Sequence, residues 1–201
     1  MAERYEIKMR VKGKVAVITG TGYGRGMSRG FPIGFAEEGA DLSLNCYGCE
    51  RDKLQHFIEE LRAFNIRVII TEGDISKEKV AIELIENTIK EFGKIDILVN
   101  NAGITSPRSI QQITVNEWDQ MMNINLKSFF LTCKYAIPYM IEKKFGRIIN
   151  IASQIAQKGG TDHCHYAAAK AGVIGMTKAL AWDLGKYGIT CNCIAPGPID
   201  T

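Results

Sequence analysis

Ser153, Tyr166 and Lys170 stand at spacings of thirteen and four residues, inside IINIAS and HYAAAK. On a helix, residues i and i+4 share a face, so the Lys170 ammonium is expected beside the Tyr166 phenol. A free tyrosine ionises near ~10 and is a poor proton carrier at neutral pH. A neighbouring cation favours the phenolate and lowers that value. Ser153, at the end of a preceding strand, can hold an oxygen while Tyr166 protonates or deprotonates it. The chemistry expected of such a trio is proton transfer to or from a carbonyl or alcohol oxygen.

These residues need a rigid frame, and the sequence supplies one. Short apolar runs alternate with longer amphipathic ones. Strands are expected over 15–19, 41–45, 67–71, 95–100, 147–152 and 189–195. Helices are expected over 29–38, 51–64, 77–92, 117–143 (with an interruption near Pro138) and 165–187. Near-continuous apolar strands between helices predict a parallel sheet covered on both faces. No repeat, linker or low-complexity tract divides the chain, so residues 1–201 are expected to form a single domain. Right-handed crossovers then give an α/β, three-layer, doubly wound sheet of the Rossmann type. Its ligand crevice lies at the carboxyl ends of the strands.

Composition narrows the function classes. The chain is 46% hydrophobic and 23% charged with a net charge of +3, which fits a globular domain and gives no case for nucleic-acid binding. The N-terminal stretch MAERYEIKMRVKGK lacks the apolar core of an export signal, and no apolar run approaches the ~20 residues of a membrane helix. Six cysteines without such a signal predict reduced thiols and a cytoplasmic location.

The stretch Thr19-Gly-Thr-Gly-Tyr-Gly-Arg-Gly-Met-Ser-Arg-Gly30 follows the first expected strand and precedes a helix. Glycines there let backbone N–H groups approach a pyrophosphate seated on a helix N-terminus. At the end of the second strand, where many NAD sites carry an acid for the ribose 2′-hydroxyl, the residues are Leu44-Asn45-Cys46-Tyr47-Gly48-Cys49, with no Asp or Glu. Cys46 and Cys49 form a CxxC, and Cys191 and Cys193 share one face of an apolar strand. Zinc sites use such spacing, although strand cysteines are usually small core residues. His163 and His165 flank Cys164 and are open to three readings: pocket wall, pH-sensitive element or surface residue. Trp118 and Trp182 are expected to pack helices.

In order, KVAVITG, the glycine-rich stretch, GD at Gly73-Asp74, NNAG at 100–103, NINL at 123–126, INIAS at 149–153, YAAAK at 166–170 and PGPIDT at 196–201 resemble the short-chain dehydrogenase/reductase family. Within it the chain looks most like the 3-oxoacyl-(acyl carrier protein) reductase and sugar or polyol dehydrogenase branches. The resemblance implies strand order 3-2-1-4-5-6 and an NAD(P)-dependent oxidoreductase working on a secondary alcohol/ketone pair. It implies catalytic roles for Ser153, Tyr166 and Lys170, with Asn125 holding a water in a proton relay.

The family glycine pattern fits in two registers. One uses Gly20, Gly24 and Gly26. The other, preferred because loops absorb insertions more easily than helices, uses Gly20, Gly26 and Ser28 and places a two-residue expansion in the loop. Pro32 then falls near the end of the first helical turn. The resemblance further implies that Gly20, Gly22, Arg25, Gly26 and Met27 contact the cofactor. Asp74 would accept from the adenine amino group, with Ile75 against the ring. Asn101, Ala102 and Gly103 would line the fourth strand's end, and Asn100 would meet the cofactor there or brace neighbouring loops. Lys170 would reach the nicotinamide ribose beside Tyr166. Pro196, Gly197, Ile199 and Thr201 would meet the nicotinamide.

Arg25 beside Gly26 favours NADP, with NAD through Asn45 or a backbone group as the alternative. A homodimer or homotetramer built partly on the 117–143 and 165–187 helices is implied as well. Family members run on for several dozen residues past the PG motif, giving a substrate lid, a last strand and part of an interface. The sequence is therefore expected to be a fragment or a shortened domain, and a nucleotide-binding module without turnover is the alternative reading.

Overall fold

A computed structural model describes residues 9–199. Its strands are β1 (Val15–Ile18), β2 (Asp41–Cys46), β3 (Val68–Glu72), β4 (Ile97–Asn100), β5 (Gly146–Ile151) and β6 (Ile189–Ile194). The helices are α1 (Met27–Glu37), α2 (Arg51–Arg62), α3 (Glu78–Phe92), α4 (Val115–Met122), α5 (Ser128–Lys143), the single turn α6 (Ile155–Lys158) and α7 (Cys164–Leu184). The six strands form one parallel sheet in the order β3-β2-β1-β4-β5-β6. The order reverses between β1 and β4, where Val17 lies opposite Leu98. That reversal opens a crevice at the strands' carboxyl ends.

Alternation along β1 shows how the layers form. Ala16 and Ile18 point to one face, where they meet Leu42, Leu44, Phe57 and Leu61 beneath α1 and α2. Val17 points to the other, with Leu98, Leu84, Ile85, Leu131 and Met140 beneath α3 and α5. All four residues of β1 are buried, as a strand covered on both faces requires. Burying a side chain such as Phe57 stabilises the fold by about 2 kcal/mol.

A buried polar chain crosses the second layer. Thr132 of α5 donates to Asn100 Oδ1 at 2.6 Å, Asn100 Nδ2 to Asn150 Oδ1 at 2.8 Å, and Asn150 Nδ2 to Thr177 Oγ1 of α7 at 2.9 Å. Every link has its partner, so the interior tolerates it. Asn100 is thus a brace between α5 and α7, tying the strand ends that carry the site.

Most element ends fall within one to three residues of the expected ones, and the long central helix departs further. The break in the 117–143 helix comes not at Pro138 but at Asn123–Lys127, a π-helical segment between α4 and α5. Pro138 lies inside α5 on an exposed side, where water can serve the carbonyl it leaves unpaired. The short α6 has no signal long enough to read from periodicity. Among the described residues no helix is long and apolar enough to cross a membrane.

Candidate active site

β1 ends at Ile18, and the chain turns at Gly20 with φ +64°. A Cβ on Gly20 would lie 2.5 Å from Ala102 Cα, so only glycine fits between the two strand ends. The Thr21 amide and hydroxyl both donate to the Asn45 carbonyl, at 2.9 and 3.0 Å. The Gly22 amide donates to the Ser28 carbonyl at 3.1 Å. α1 begins directly after Gly26, whose φ of 74° and ψ of −153° set the turn into the helix. The helix thus opens at Met27, two residues ahead of the expected 29. Pro32 falls one turn later than expected, inside α1.

This loop, the start of α1 and the ends of β2 and β4 enclose a cavity of about 590 Å³. Of the expected cofactor residues, Gly20, Arg25, Met27, Asp74, Ile75, Asn101, Ala102 and Gly103 line it. Gly22 and Gly26 shape the loop and are not in its walls. Thr21, Tyr47, Ile104, Gln120 and Ile124 also line it and went unread. Tyr47 follows the second strand directly, which is the one signal that could have found it. Gln120 and Ile124 reach the cavity from α4 and the π segment, which periodicity does not reveal.

Several polar groups in the walls are already engaged. Asn45 is buried, and its amide donates to the carbonyls of Thr71 and Gly73 at 3.2 and 3.0 Å. That ties β2 to the end of β3 and removes the Asn45 amide nitrogen as a ribose ligand. Asn101 Nδ2 donates to Thr19 and Gly20 carbonyls at 3.1 and 3.0 Å. Asp74 Oδ1 accepts from the Ser76 amide at 2.9 Å, which makes a local turn. α3 starts after Lys77 with no side-chain cap. Arg25 is exposed at the cavity and, among the described residues, has no ion-pair partner.

Ser153, Tyr166, Lys170 and Asn125 come from three different segments. Ser153 follows β5 and is almost buried, and its hydroxyl accepts from the Ile155 amide at 3.3 Å. Tyr166 and Lys170 lie one turn apart on α7. Lys170 Nζ donates to the Ile151 carbonyl at 2.8 Å and lies 4.9 and 5.8 Å from the ring centres of Phe129 and Tyr166. Asn125 is fully buried in the π segment. Its Nδ2 donates to the Met121 carbonyl at 3.1 Å, and its Oδ1 accepts from the Ile104 amide at 3.2 Å. A Cβ on Gly103 would lie 2.7 Å from Asn125 Oδ1 and 3.4 Å from Lys170 Nζ. Gly103 therefore joins the cavity to the Tyr166–Lys170 pair.

The electrostatics differ from the expectation. Burial raises the Tyr166 phenol above its ordinary value, and the neighbouring Ser153 hydroxyl opposes this by hydrogen bonding. Lys170 does not lower it in this geometry, because the ammonium is turned to the Ile151 carbonyl. Burial pushes Lys170 itself down to about 8.

The remaining expected residues are placed as follows. The Gln154 amide donates to the Pro196 carbonyl at 3.0 Å, and Gly197 packs beside the Gln154 side chain, next to Ser153. Ile199 is exposed. Thr201 lies outside the described residues. His165 is buried, with Nδ1 lacking a partner, and is not a surface residue. His163 meets the Tyr166 ring edge-on at 6.0 Å. Cys191 is a core residue, and Cys193 packs at its margin. No three His, Cys, Asp or Glu among the described residues cluster to hold a metal. Trp118 is half-buried, but Trp182 does not pack a helix: it is 89% exposed.

The family model for short chain dehydrogenases matches residues 14–201. The chain belongs to this family. Among its relatives is "(2S)-[(R)-hydroxy(phenyl)methyl]succinyl-CoA dehydrogenase subunit BbsD" of Thauera aromatica, 41% identical over 96% of this chain and 76% of the relative. Another is the 3-oxoacyl-[acyl-carrier-protein] reductase FabG of Staphylococcus epidermidis, 36% identical over 92% of this chain and 74% of the relative. Among solved structures, a short-chain dehydrogenase/reductase from Burkholderia xenovorans superposes with a TM-score of 0.86 at 32% identity, covering 95% of this chain and 77% of that one. NAD+-bound xylitol dehydrogenase follows with 0.85 at 29% identity, covering 94% and 71%. The protein is an NAD(P)-dependent oxidoreductase of this family.

Proposed function

We propose that the protein interconverts a secondary alcohol and a ketone carried on an acyl thioester, with NADP as the preferred dinucleotide. The observation that carries the reading is the convergence of Ser153, Tyr166, Lys170 and Asn125 beside a cavity bounded by a glycine loop and a helix N-terminus. The residues fit a dinucleotide: Gly20 leaves no room for a side chain at the strand crossing, and the first turn of α1 carries no acid. Bound nicotinamide would supply or accept the hydride.

In the reducing direction the Ser153 hydroxyl holds the carbonyl oxygen, and the Tyr166 phenol gives it a proton. Lys170 orients the ribose and restores the proton through the Asn125 region. The raised phenol value keeps Tyr166 protonated at neutral pH, which suits it as the acid in reduction. Asp74 and Ile75 hold the adenine. Met27 presents its amide to the pyrophosphate from the start of α1, Gly22 and Gly26 shape the loop behind it, and Asn101 and Ala102 shape the wall beside it. Pro196, Gly197 and Ile199 meet the nicotinamide.

NADP is favoured because Arg25 stands free at the cavity while Asn45 is committed to the sheet. The thioester class rests on two relatives whose names specify a CoA ester and an acyl carrier protein ester. The test is a rate panel with acetoacetyl-CoA, xylulose and simple ketones, each with NADPH and NADH. Reduction of the thioester ahead of the sugar supports the reading. Turnover of the sugar alone sinks the substrate class, and a preference for NADH sinks the Arg25 assignment.

The exposed Trp182 on α7 and Phe130 on α5 further support a homo-oligomer formed through these helices. Light scattering that shows only monomer overturns that assembly.

A further inference from the structure

His163 has no part in the reading above, yet it stands next to the proposed acid. The chain reverses at Asp162, whose φ is +58°. The Arg108 amide donates to the Asp162 carbonyl at 2.7 Å, which ties this turn to the segment after β4. The Ala167 amide donates to the His163 carbonyl at 2.7 Å, so α7 opens directly after this residue. The His163 ring is half-buried and meets the Tyr166 ring edge-on, with centres 6.0 Å apart. One bound substrate can touch both.

A single contact settles which nitrogen is available. His163 Nδ1 lies 2.5 Å from the Thr161 carbonyl oxygen. A carbonyl only accepts, so Nδ1 carries a hydrogen and Nε2 is left for a ligand. In the neutral ring Nε2 accepts, and in the imidazolium it donates. Histidine is the side chain that changes between these forms from pH 5 to 8.

We propose that protonated His163 sets the specificity for β-keto thioesters: its Nε2 donates to the thioester oxygen while Ser153 and Tyr166 hold the ketone oxygen. The inference rests on the thioester reading above. The two carbonyls of such a substrate stand on alternate carbons, so their oxygens can face neighbouring donors. A ketone without the second oxygen leaves the imidazolium unpaired, and a site built on that contact discriminates against it. Other charged and titratable groups surround the ring. Lys158 and Asp162 belong to the same loop, and Cys164, His165 and Tyr166 follow on α7. Arg108 is paired with Glu117 of α4 at 3.2 Å. Tyr166 and Lys170 serve both kinds of substrate, so their effects cancel in a ratio of rates.

The test measures kcat/KM for the acetoacetyl thioester of N-acetylcysteamine, which carries no phosphate, and for 2-pentanone. Both are reduced at pH 5.5, 6.5 and 7.5 with whichever of NADPH and NADH supports turnover. The wild-type ratio of thioester to ketone should fall about tenfold across that range, the scale of one hydrogen bond to a charged group. The fall should appear chiefly in KM, because the contact is already made in the bound substrate. His163→Ala should hold the low ratio at every pH. His163→Gln, whose amide donates without being protonated, should restore the ratio and make it independent of pH. Cys164→Ser, at the exposed neighbour, should keep the wild-type profile.

A wild-type ratio or a surviving pH dependence in His163→Ala overturns the inference while thioester reduction stands. A ratio lost alike in His163→Ala and His163→Gln makes the residue structural and overturns it too. A wild type that reduces no thioester overturns the proposed substrate class and this inference together.

Discussion

The Gly22 amide donates to the Ser28 carbonyl at 3.1 Å, and that carbonyl is free because Pro32, four residues on, has no N–H to give it. A residue that would ordinarily weaken a helix here provides an anchor for the loop. Pro32→Ala restores a competing donor. The expected outcome is a higher melting temperature together with an NADPH dissociation constant raised about threefold, a fraction of one hydrogen bond. Calorimetric titration beside a melting curve checks both, and unchanged affinity argues against the anchor.

Tyr166→Phe should reduce turnover by roughly 10²–10⁴-fold, the usual contribution of a positioned acid. Dinucleotide affinity should barely change, because the ring stays. Single-turnover kinetics with a fluorescence titration separate the two. A variant that keeps most of its rate removes Tyr166 as the acid.

Lys170 should leave a pH signature on stability. Its value in the fold, about 8, lies below the ordinary lysine range, so the unfolded chain holds the extra proton between them. The Lys170 contribution to stability therefore rises with pH from about 8 upward, and below that the buried charge costs on the order of 3 kcal/mol. Urea melts of the wild type and Lys170→Met at pH 7.5 and 10 separate this contribution from that of the buried cysteines, whose raised values act in the opposite sense over the same window. The wild type should gain stability relative to the variant as pH rises, and a difference that does not move contradicts the burial of the ammonium.

Gly20→Ala should destabilise by about 2 kcal/mol or more, because positive φ and a backbone clash with Ala102 act together. Gly24→Ala, where a Cβ meets nothing within 4 Å, should cost far less. Denaturant midpoints of the two variants give the comparison, and equal costs would mean the β1–β4 crossing can relax.

The type and order of elements were legible because parallel strands buried on both faces, such as VAVI and ILVN, read as apolar runs between amphipathic helices. Apolar spacing places the start of α1 two residues late, at 29, because the turn at Gly26 that opens the helix at Met27 is set by backbone geometry. The i, i+4 spacing of Tyr166 and Lys170 alone places them one turn apart. The tertiary structure alone decided the rest. The Asn45 amide donates to the carbonyls of Thr71 and Gly73 at the end of β3, partners that local sequence cannot encode. The break in the long helix fell at Asn125, where a π turn turns its amide to Met121, and not at the proline a single-chain reading would choose. Lys170 carries a lowered value because Phe129 and Ile151, remote in sequence, close over it. Spacing fixes which side chains share a face, but burial and hydrogen-bond partners come from segments far apart in the chain, and those set the charge a group can hold.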